Sequence, residues 1–426
     1  MASFISLKTI TIFIFILTYI LILTRKINSL LVVFSGIGLL FLIGAISLKE
    51  AFFSINFNVL GVFLGTMVLS HLFIYSEVPH FLASKILNNS KNVSMAFLGV
   101  CLLSGFISSF TENVATVLIV APIALKIAKI IEINPVPLLI GVSLSSNLQG
   151  TATLIGDSPS IILAMEAGMN FNDFFWMRAR PGIFFAVELG AVGAFFVLWL
   201  FFKRYKDRAP SDFKITPKTW IPTLLLSAMV LSLVFFSFLK NKPTYGIAGI
   251  CLFWAMWGVL WHKFYHKESI SLKKDLDWYT FFFLVGIFIL VGTLNVQGII
   301  KDIAASIGRF AGKNVLFAYV LIVGVSVLVS AFVDNIPYTM AMIPVAKLVS
   351  LDLGVSMYPF LFGLLIGTCL GGNITPFGAS CNIVTLGILR KEGFKVRFID
   401  FFKIGIPFTL TAVILGASFI WFFWMR

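Results

Sequence analysis

The sequence predicts an all-α polytopic membrane protein built from two inverted-topology repeats. Three observations predict this fold class. Of the 426 residues, 59% are hydrophobic and only 12% are charged, and the mean hydropathy is +1.02. Apolar runs of about 17 to 25 residues, the length that an α-helix needs to cross a bilayer, recur from end to end. The second half of the chain also repeats the sequence pattern of the first.

The first apolar run, Thr9 to Thr24, is interpreted as a retained transmembrane helix, because only Lys8 precedes it and no small-residue cleavage site follows. The net charge of +14 comes from loops between apolar runs. This distribution indicates membrane topology and not nucleic-acid binding. The cysteines lie in apolar surroundings without metal-ligand spacing, so we expect small core residues and no metal site. They are Cys101, Cys251, Cys369 and Cys381.

An internal repeat appears at a constant offset of 222 residues. The stretch "SSFTENVATVLIVAPIA" (108–124) aligns with "SAFVDNIPYTMAMIPVA" (330–346). The same offset aligns "GTATLIGDSP" (150–159) with "GNITPFGASC" (372–381) without a gap. Such regular self-similarity predicts two homologous halves. The predicted division is a first inverted repeat at 1–202, a basic cytoplasmic linker at 203–218 and a second inverted repeat at 219–426.

Each half is predicted to contain about five transmembrane helices, one of them broken, and a re-entrant hairpin. The hairpins run from about Val93 to Ile131, with "TEN" at the tip, and from about Val315 to Ser350, with "VDN" at the tip. Alternation from a cytoplasmic linker places 21 of the 32 Lys and Arg residues in the cytoplasm, as the positive-inside rule requires. Since each half crosses the membrane an odd number of times, the second half is predicted to have the opposite orientation to the first. The cytoplasmic segments are 25–26, 85–91, 126–129, 203–218, 263–274 and 390–403.

The Gly-rich stretches 150–159 and 372–381 each interrupt a segment long enough to span the membrane. Irregular backbone persists at membrane depth only where it is buried in protein or lines a cavity. Broken helices at corresponding positions of two inverted halves point to a transport site near the midplane. Close helix packing is the alternative explanation for the glycines, and a simple turn is the alternative for Asn113 and Asn335 at the tips.

Only four of the 18 acidic residues lie at predicted membrane depth. They are Glu112, Asp157, Glu188 and Asp334. An intramembrane carboxylate is costly and therefore indicates a functional site. Three of the four lie on the repeated broken elements, whereas Glu188 lies on an unbroken helix and is a candidate proton relay or a paired core residue. His71 is a second candidate relay, with a structural role as the alternative.

Three stretches carry a resemblance to a known family: 134–164, 330–345 and 369–384. Here the chain resembles the ion transporter superfamily, with its citrate-transporter-like domain, and within it the branch of arsenite pumps, NhaD-type sodium/proton antiporters and the P protein. The resemblance implies a scaffold part, a mobile transport part and elevator-like alternating access. It also implies that the hairpin tips and the unwound loops bind ion and substrate.

The main departures from that family change the charge at the two hairpin tips. The related dicarboxylate symporters carry Ser-Asn-Thr at both tips, where this chain has Glu112-Asn113-Val114 and Asp334-Asn335-Ile336. Two carboxylates beside a dianionic substrate would repel it at the low effective dielectric of a buried site. A carboxylate that binds either a cation or a proton makes the two ligands mutually exclusive, as antiport requires. Gln149 and Ser160 also replace the usual Gly and Asn, so the ligand set can differ from that of the relatives.

We therefore predict a secondary cation/proton antiporter, most simply for sodium, with Glu112, Asp157 and Asp334 as the carboxylate ligands. The predicted neutral ligands are Asn113, Thr151, Thr153, Asn335, Asn373, Thr375, Ser380 and Asn382. The alternatives are proton-coupled efflux of arsenite or another metalloid, transport of an organic anion such as citrate, and a channel or membrane scaffold.

The chain contains no P-loop, no His/Cys cluster and no room for a soluble catalytic domain, so an enzyme is not expected. No cofactor is expected beyond transported ions such as sodium and protons, and no metal beyond the transported cation. The expected partners are the lipid bilayer, a small ion or solute and, as an option, a second copy in a homodimer. The expected location is a bacterial inner or plasma membrane.

Overall fold

The computed structural model describes residues 6–24, 26–207, 215–266 and 276–425. Within these residues the chain is almost entirely helical, with nineteen α-helices. The exceptions are a single 3-10 turn, Phe171–Phe174, and two short antiparallel strands, β1 (Trp176–Met177) and β2 (Arg180–Pro181). The all-α prediction is therefore confirmed. Part of the predicted linker, 208–214, lies outside the described residues, and the division into 1–202, 203–218 and 219–426 stays a prediction.

Ten helices belong to the predicted first half. They are α1 (Leu7–Thr24), α2 (Ser29–Leu42), α3 (Leu48–Ser54), α4 (Phe57–Tyr75), α5 (Val78–Asn89), α6 (Val93–Ser108), α7 (Asn113–Ile130), α8 (Val136–Gly150), α9 (Ser158–Ala167) and α10 (Ile183–Phe202). Nine belong to the second. They are α11 (Ile221–Phe236), α12 (Gly246–His266), α13 (Trp278–Val296), α14 (Ile299–Ala311), α15 (Val315–Ser330), α16 (Asn335–Asp352), α17 (Met357–Gly371), α18 (Ser380–Lys391) and α19 (Phe398–Trp424). Among the described helices, seven are long and apolar enough to cross a membrane.

The helix bounds reproduce the sequence repeat. At the offset of 222 residues, α6 and α7 coincide at both ends with α15 and α16, and α9 begins where α18 begins. The starts of α4, α5 and α8 match those of α13, α14 and α17 within one residue. Each predicted hairpin is a pair of helices joined by a four-residue turn, 109–112 or 331–334. These features confirm the fold of two repeats with one hairpin and one broken helix each.

Four long-range ion pairs agree with the predicted inverted topology. Each joins two residues that the alternation of crossings places on the same side of the membrane. The pairs are Lys8 with Asp302, Lys129 with Glu392, Lys218 with Glu77, and Lys347 with Glu166. Such surface pairs contribute little to stability. Their value here is geometric, because a wrong orientation of one half would have separated the partners by the thickness of the bilayer.

Three short helices, α3, α5 and α14, are not among the predicted crossings. All three connect a crossing to the next element, and they are too short to span a bilayer. Helix α14 buries its apolar residues Ile299, Ile300 and Ala304, while Lys301 and Asp302 are exposed. This amphipathic pattern is typical of a helix that lies along a surface.

The centre of the molecule is formed by the two broken helices. Every residue from Leu138 to Ala164 is buried, and so is every residue from Tyr358 to Asn373. The buried stretch of α8 carries five polar side chains: Ser143, Ser145, Ser146, Asn147 and Gln149. Buried polar groups in a membrane protein need partners within the protein. The core is therefore polar along α8, where an ordinary transmembrane helix would carry apolar side chains.

Candidate functional site

Two hairpin tips and two helix breaks meet at the candidate site. Helix α8 ends at Gly150 and α9 begins at Ser158, while α17 ends at Gly371 and α18 begins at Ser380. Three of the four helices that start here carry a carboxylate at the N-cap. These caps are Glu112 for α7, Asp157 for α9 and Asp334 for α16. The partial positive charge of a helix N-terminus stabilises such carboxylates.

Each break is bonded to the hairpin of its own half in the same way. The hydroxyl of Thr153 donates to the carbonyl oxygen of Ser109, and that of Thr375 donates to the carbonyl oxygen of Ala331. These two pairs are related by the offset of 222 residues. The predicted ligands Thr153 and Thr375 therefore hold the break against the tip.

Glycine is required at the equivalent positions Gly156 and Gly378. A Cβ atom at Gly156 would lie 2.5 Å from the carbonyl oxygen of Gly150 and 2.8 Å from that of Ser108. A Cβ atom at Gly378 would lie 2.6 Å from the oxygen of Gly372. The glycines thus allow the unwound backbone to pass directly beside the hairpin, as close backbone approach demands.

A chain of buried asparagines joins the two halves. The amide of Asn113 donates to Asn147 Oδ1 at 3.2 Å, and Asn147 Nδ2 donates to Asn373 Oδ1 at 3.0 Å. Asn147 also donates to the carbonyl oxygen of Cys369 at 2.6 Å, and Asn373 donates to that of Leu144 at 3.1 Å. Since each half supplies both donors and acceptors, the breaks form a single polar unit.

Asp157 is the carboxylate at the centre of this unit. Its side chain is only 5% exposed and accepts hydrogen bonds from the backbone N–H of Ser158, at 2.8 Å, and from Asn335 Nδ2, at 3.3 Å. None of the five ion pairs between described residues includes Asp157. Asp157 also lies close enough to Asp334 and to Glu112 to interact with both electrostatically.

The two tip carboxylates have different surroundings. Glu112 accepts from the N–H groups of Val114 and Ala115, at 3.0 and 3.1 Å, and acts as a helix cap. Asp334 accepts from the N–H of Ile336 and, at 3.2 Å, from the hydroxyl of Ser380. The predicted residues Asp334 and Ser380 thus meet directly, and both line a cavity that opens from the site.

The other predicted residues divide into two groups. Thr151 lies in the first break and donates to the carbonyl oxygen of Asn147 at 3.3 Å, and Asn382, in the first turn of α18, donates to the carbonyl oxygens of Gly372 and Thr375 in the second break. Glu188 lies outside the breaks, on α10, where it accepts from Gln149 Nε2 at 3.3 Å. His71 lies on α4, which packs mainly against α12. The relay roles of Glu188 and His71 stay predictions.

Sequence reasoning missed several polar residues of the site. Asn147 is the main one, together with Ser143, whose hydroxyl donates to Asn382 Oδ1 at 2.6 Å, and Ser146, whose hydroxyl donates to Ser108. Ser160, which the sequence already marked as a departure from the family pattern, is fully buried, and its hydroxyl has no hydrogen-bond partner among the described residues. The sequence signal that could have identified Asn147, Ser143 and Ser146 is the run of polar residues within the apolar segment that forms α8.

Comparison with known proteins identifies the family. Residues 19–357 match the family described as citrate transporter, CitMHS. The chain belongs to the CitMHS citrate transporter family. Among its relatives, a 46 kDa membrane protein of Mycobacterium leprae is 30% identical over 97% of this chain and 98% of its own length. The human P protein is 25% identical over 86% of this chain, which spans 53% of that longer protein.

A solved transporter structure has the same overall fold as this CitMHS protein. The YdaH transporter of Alcanivorax borkumensis, described as having an unusual topology, superposes with a TM-score of 0.58 at 13% identity, covering 98% of both chains. The match to the citrate transporter family, with the P protein as a relative, confirms the predicted resemblance to the ion transporter superfamily. This CitMHS chain is a multi-pass membrane protein and a secondary transporter with bacterial relatives.

Proposed function

We propose that this transporter exchanges a cation, most simply sodium, for protons by alternating access. The observation that carries the proposal is the buried Asp157 carboxylate, which accepts two hydrogen bonds and has no basic partner among the described residues. A buried charge without a partner is costly, so a carboxylate in this position binds either a proton or a cation. The two ligands exclude each other at one carboxylate.

The neighbouring groups supply suitable oxygen ligands. Asp334 and Glu112 add carboxylate oxygens near Asp157, and asparagine and threonine side chains from both breaks add neutral oxygens. Hard cations such as sodium prefer oxygen ligands of this kind. Because the set draws on both inverted halves, movement of one part of the molecule can expose it to either side in turn.

Transport of an organic anion is the second candidate, because the family carries the name of citrate transporter. The electrostatics of the described site oppose it. Asp157 interacts electrostatically with both Glu112 and Asp334, and a multiply charged anion placed beside these carboxylates would be repelled. Anion transport would therefore require these carboxylates to be protonated first.

Proton movement in proteoliposomes tests the proposal. The purified protein is reconstituted with a trapped pH-sensitive dye, and sodium, lithium, potassium, arsenite and citrate are added in turn. Proton release driven by one cation, and lost in Asp334→Asn, is the expected result. A response to citrate or arsenite, with none to any cation, would contradict cation exchange and favour the corresponding alternative.

A further inference from the structure

A cavity of about 410 Å³ is lined by residues of the second hairpin tip, of the α1–α2 turn and of the start of α13. At its inner end lie Asp334 and Ser380, which are hydrogen-bonded to each other. At its outer end lie Lys26, Ser29 and Thr280, from the α1–α2 turn and the start of α13. The cavity therefore leads from the membrane surface to a carboxylate of the candidate site.

The side on which this cavity opens follows from the topology. Residues 25–26 and 263–274 belong to segments that the distribution of Lys and Arg places in the cytoplasm. On the opposite side, hydrogen bonds join α4, α9 and α16. Asn56, at the start of α4, donates to Glu166 Oε1 at 3.0 Å, and Lys347 donates to the carbonyl oxygen of Glu166. In this conformation the cavity beside Asp334 opens towards the predicted cytoplasmic side.

Lys26 is the basic residue in the lining of this cavity, and its side chain is exposed. An ammonium group at the mouth of a passage lowers the local concentration of cations in it, because low-dielectric walls focus the field of the charge. The effect weakens as salt shortens the screening length. The positive charge of Lys26 thus opposes the approach of a cation from the cytoplasm to Asp334, against the attraction of Asp277, whose carboxylate accepts from the hydroxyl of Thr280 at the same mouth.

We propose that this cavity is the cytoplasmic access pathway to the ion site and that Lys26 is its electrostatic gate, a residue that sets cytoplasmic cation affinity without binding the ion. The location of the pathway rests on the cavity and the topology alone. The effect of Lys26 on a cation rests on the proposed function. The two parts are therefore tested separately.

Thiol labelling tests the pathway. The four native cysteines are buried and free, so the unmodified chain provides a low background. Ser29→Cys in the cavity is expected to react with a membrane-impermeant maleimide in inside-out vesicles and not in intact cells. Ser54→Cys, which lines a separate cavity beside Glu166, is expected to show the opposite pattern. Reaction of Ser29→Cys from outside, or from neither side in a variant that inserts normally, would overturn the pathway.

Removal of the charge tests the gate. In inside-out vesicles at low ionic strength, Lys26→Gln is expected to lower the half-saturating sodium concentration by about two- to five-fold, and high salt should abolish the difference. Lys91→Gln is the matched control, because Lys91 is an exposed lysine on the same predicted side and outside the cavity lining. Equal behaviour of the two variants would overturn the gate.

The sign of the Lys26→Gln effect also separates this inference from the proposed function. Weaker binding of a transported anion in Lys26→Gln would show that Lys26 attracts substrate, and it would overturn both the gate and cation exchange. If no cation moves protons in the unmodified protein, the proposed function fails. The labelling pattern of Ser29→Cys would still decide on which side of the membrane the cavity opens.

Discussion

Asn335, at the tip of the second hairpin, donates a hydrogen bond of 3.3 Å to the carboxylate of Asp157, in the break of the first half. These residues are 178 positions apart and belong to opposite repeats. Both side chains are more than nine-tenths buried. The bond therefore forms only when the two halves are packed in this arrangement. Binding at Asp157 is then sensitive to how the halves are arranged.

Asp157→Asn is expected to abolish coupled transport while the protein still inserts and folds. The amide is of the same size: its oxygen can accept from the N–H of Ser158, and its NH2 group can donate to Asn335 once that amide turns over, but it binds no proton and carries no charge for a cation. The measurement is sodium-driven proton release in proteoliposomes, with thermal unfolding in detergent as the check on folding. Asp352→Asn, at an exposed helix end, is the matched control and should retain activity. Full activity of Asp157→Asn would exclude Asp157 from the ion site.

Asn335→Ala is expected to weaken cation binding and to reduce stability. The substitution removes a donor and leaves one oxygen of a buried carboxylate without its partner, which costs about 1–3 kcal/mol. We expect the half-saturating sodium concentration to rise about tenfold or more if that cost falls on the ion-bound state. Asn241→Ala, in an exposed loop, removes the same side chain without touching the site. If the two variants bind sodium equally well, the bond from Asn335 is not part of ion binding.

The repeat explains which parts of this site were predictable. Glu112 and Asp334, the breaks and the hairpins occupy equivalent positions in both halves, so comparison of the halves found them without a structure. Asn147 has Cys369 as its counterpart, so the same comparison passed over the residue that joins the breaks. The bond between Asp157 and Asn335 depends on how the halves dock, which local sequence patterns do not encode.

The short helices show the same limit. Predictions of crossings rest on long apolar runs, whereas α5 and α14 are 12 and 13 residues long and mix polar with apolar positions. Their pattern is typical of surface helices, which a search for membrane spans does not detect. Hence the long apolar helices were predictable, while the short elements that link them to the hairpins were not.

Gly156→Ala is expected to destabilise the first break. The new Cβ atom would lie within 3.0 Å of three carbonyl oxygens, from Gly150, Ser108 and Ser109, so the backbone must move. Such overpacking typically costs about 1–3 kcal/mol. Thermal unfolding in detergent should show a lower Tm, with reduced transport. Gly387→Ala, on α18 with nothing within 4 Å of the added atom, is the control and should unfold as the unmodified protein does. An equal Tm for both variants would mean that the unwound segment adapts freely.

Competition between protons and sodium should be visible in the pH dependence of transport. If one proton and one sodium ion exclude each other at Asp157, the half-saturating sodium concentration rises as the pH falls, by up to about tenfold per unit where the protonated form predominates. The measurement is initial sodium-driven proton release at several external pH values. Glu188→Gln should retain this dependence, because Glu188 lies on α10, outside the breaks, where it accepts a hydrogen bond from Gln149. A half-saturating concentration that does not change with pH would show that protons and sodium bind at different groups, and the exclusion at Asp157 would then be wrong.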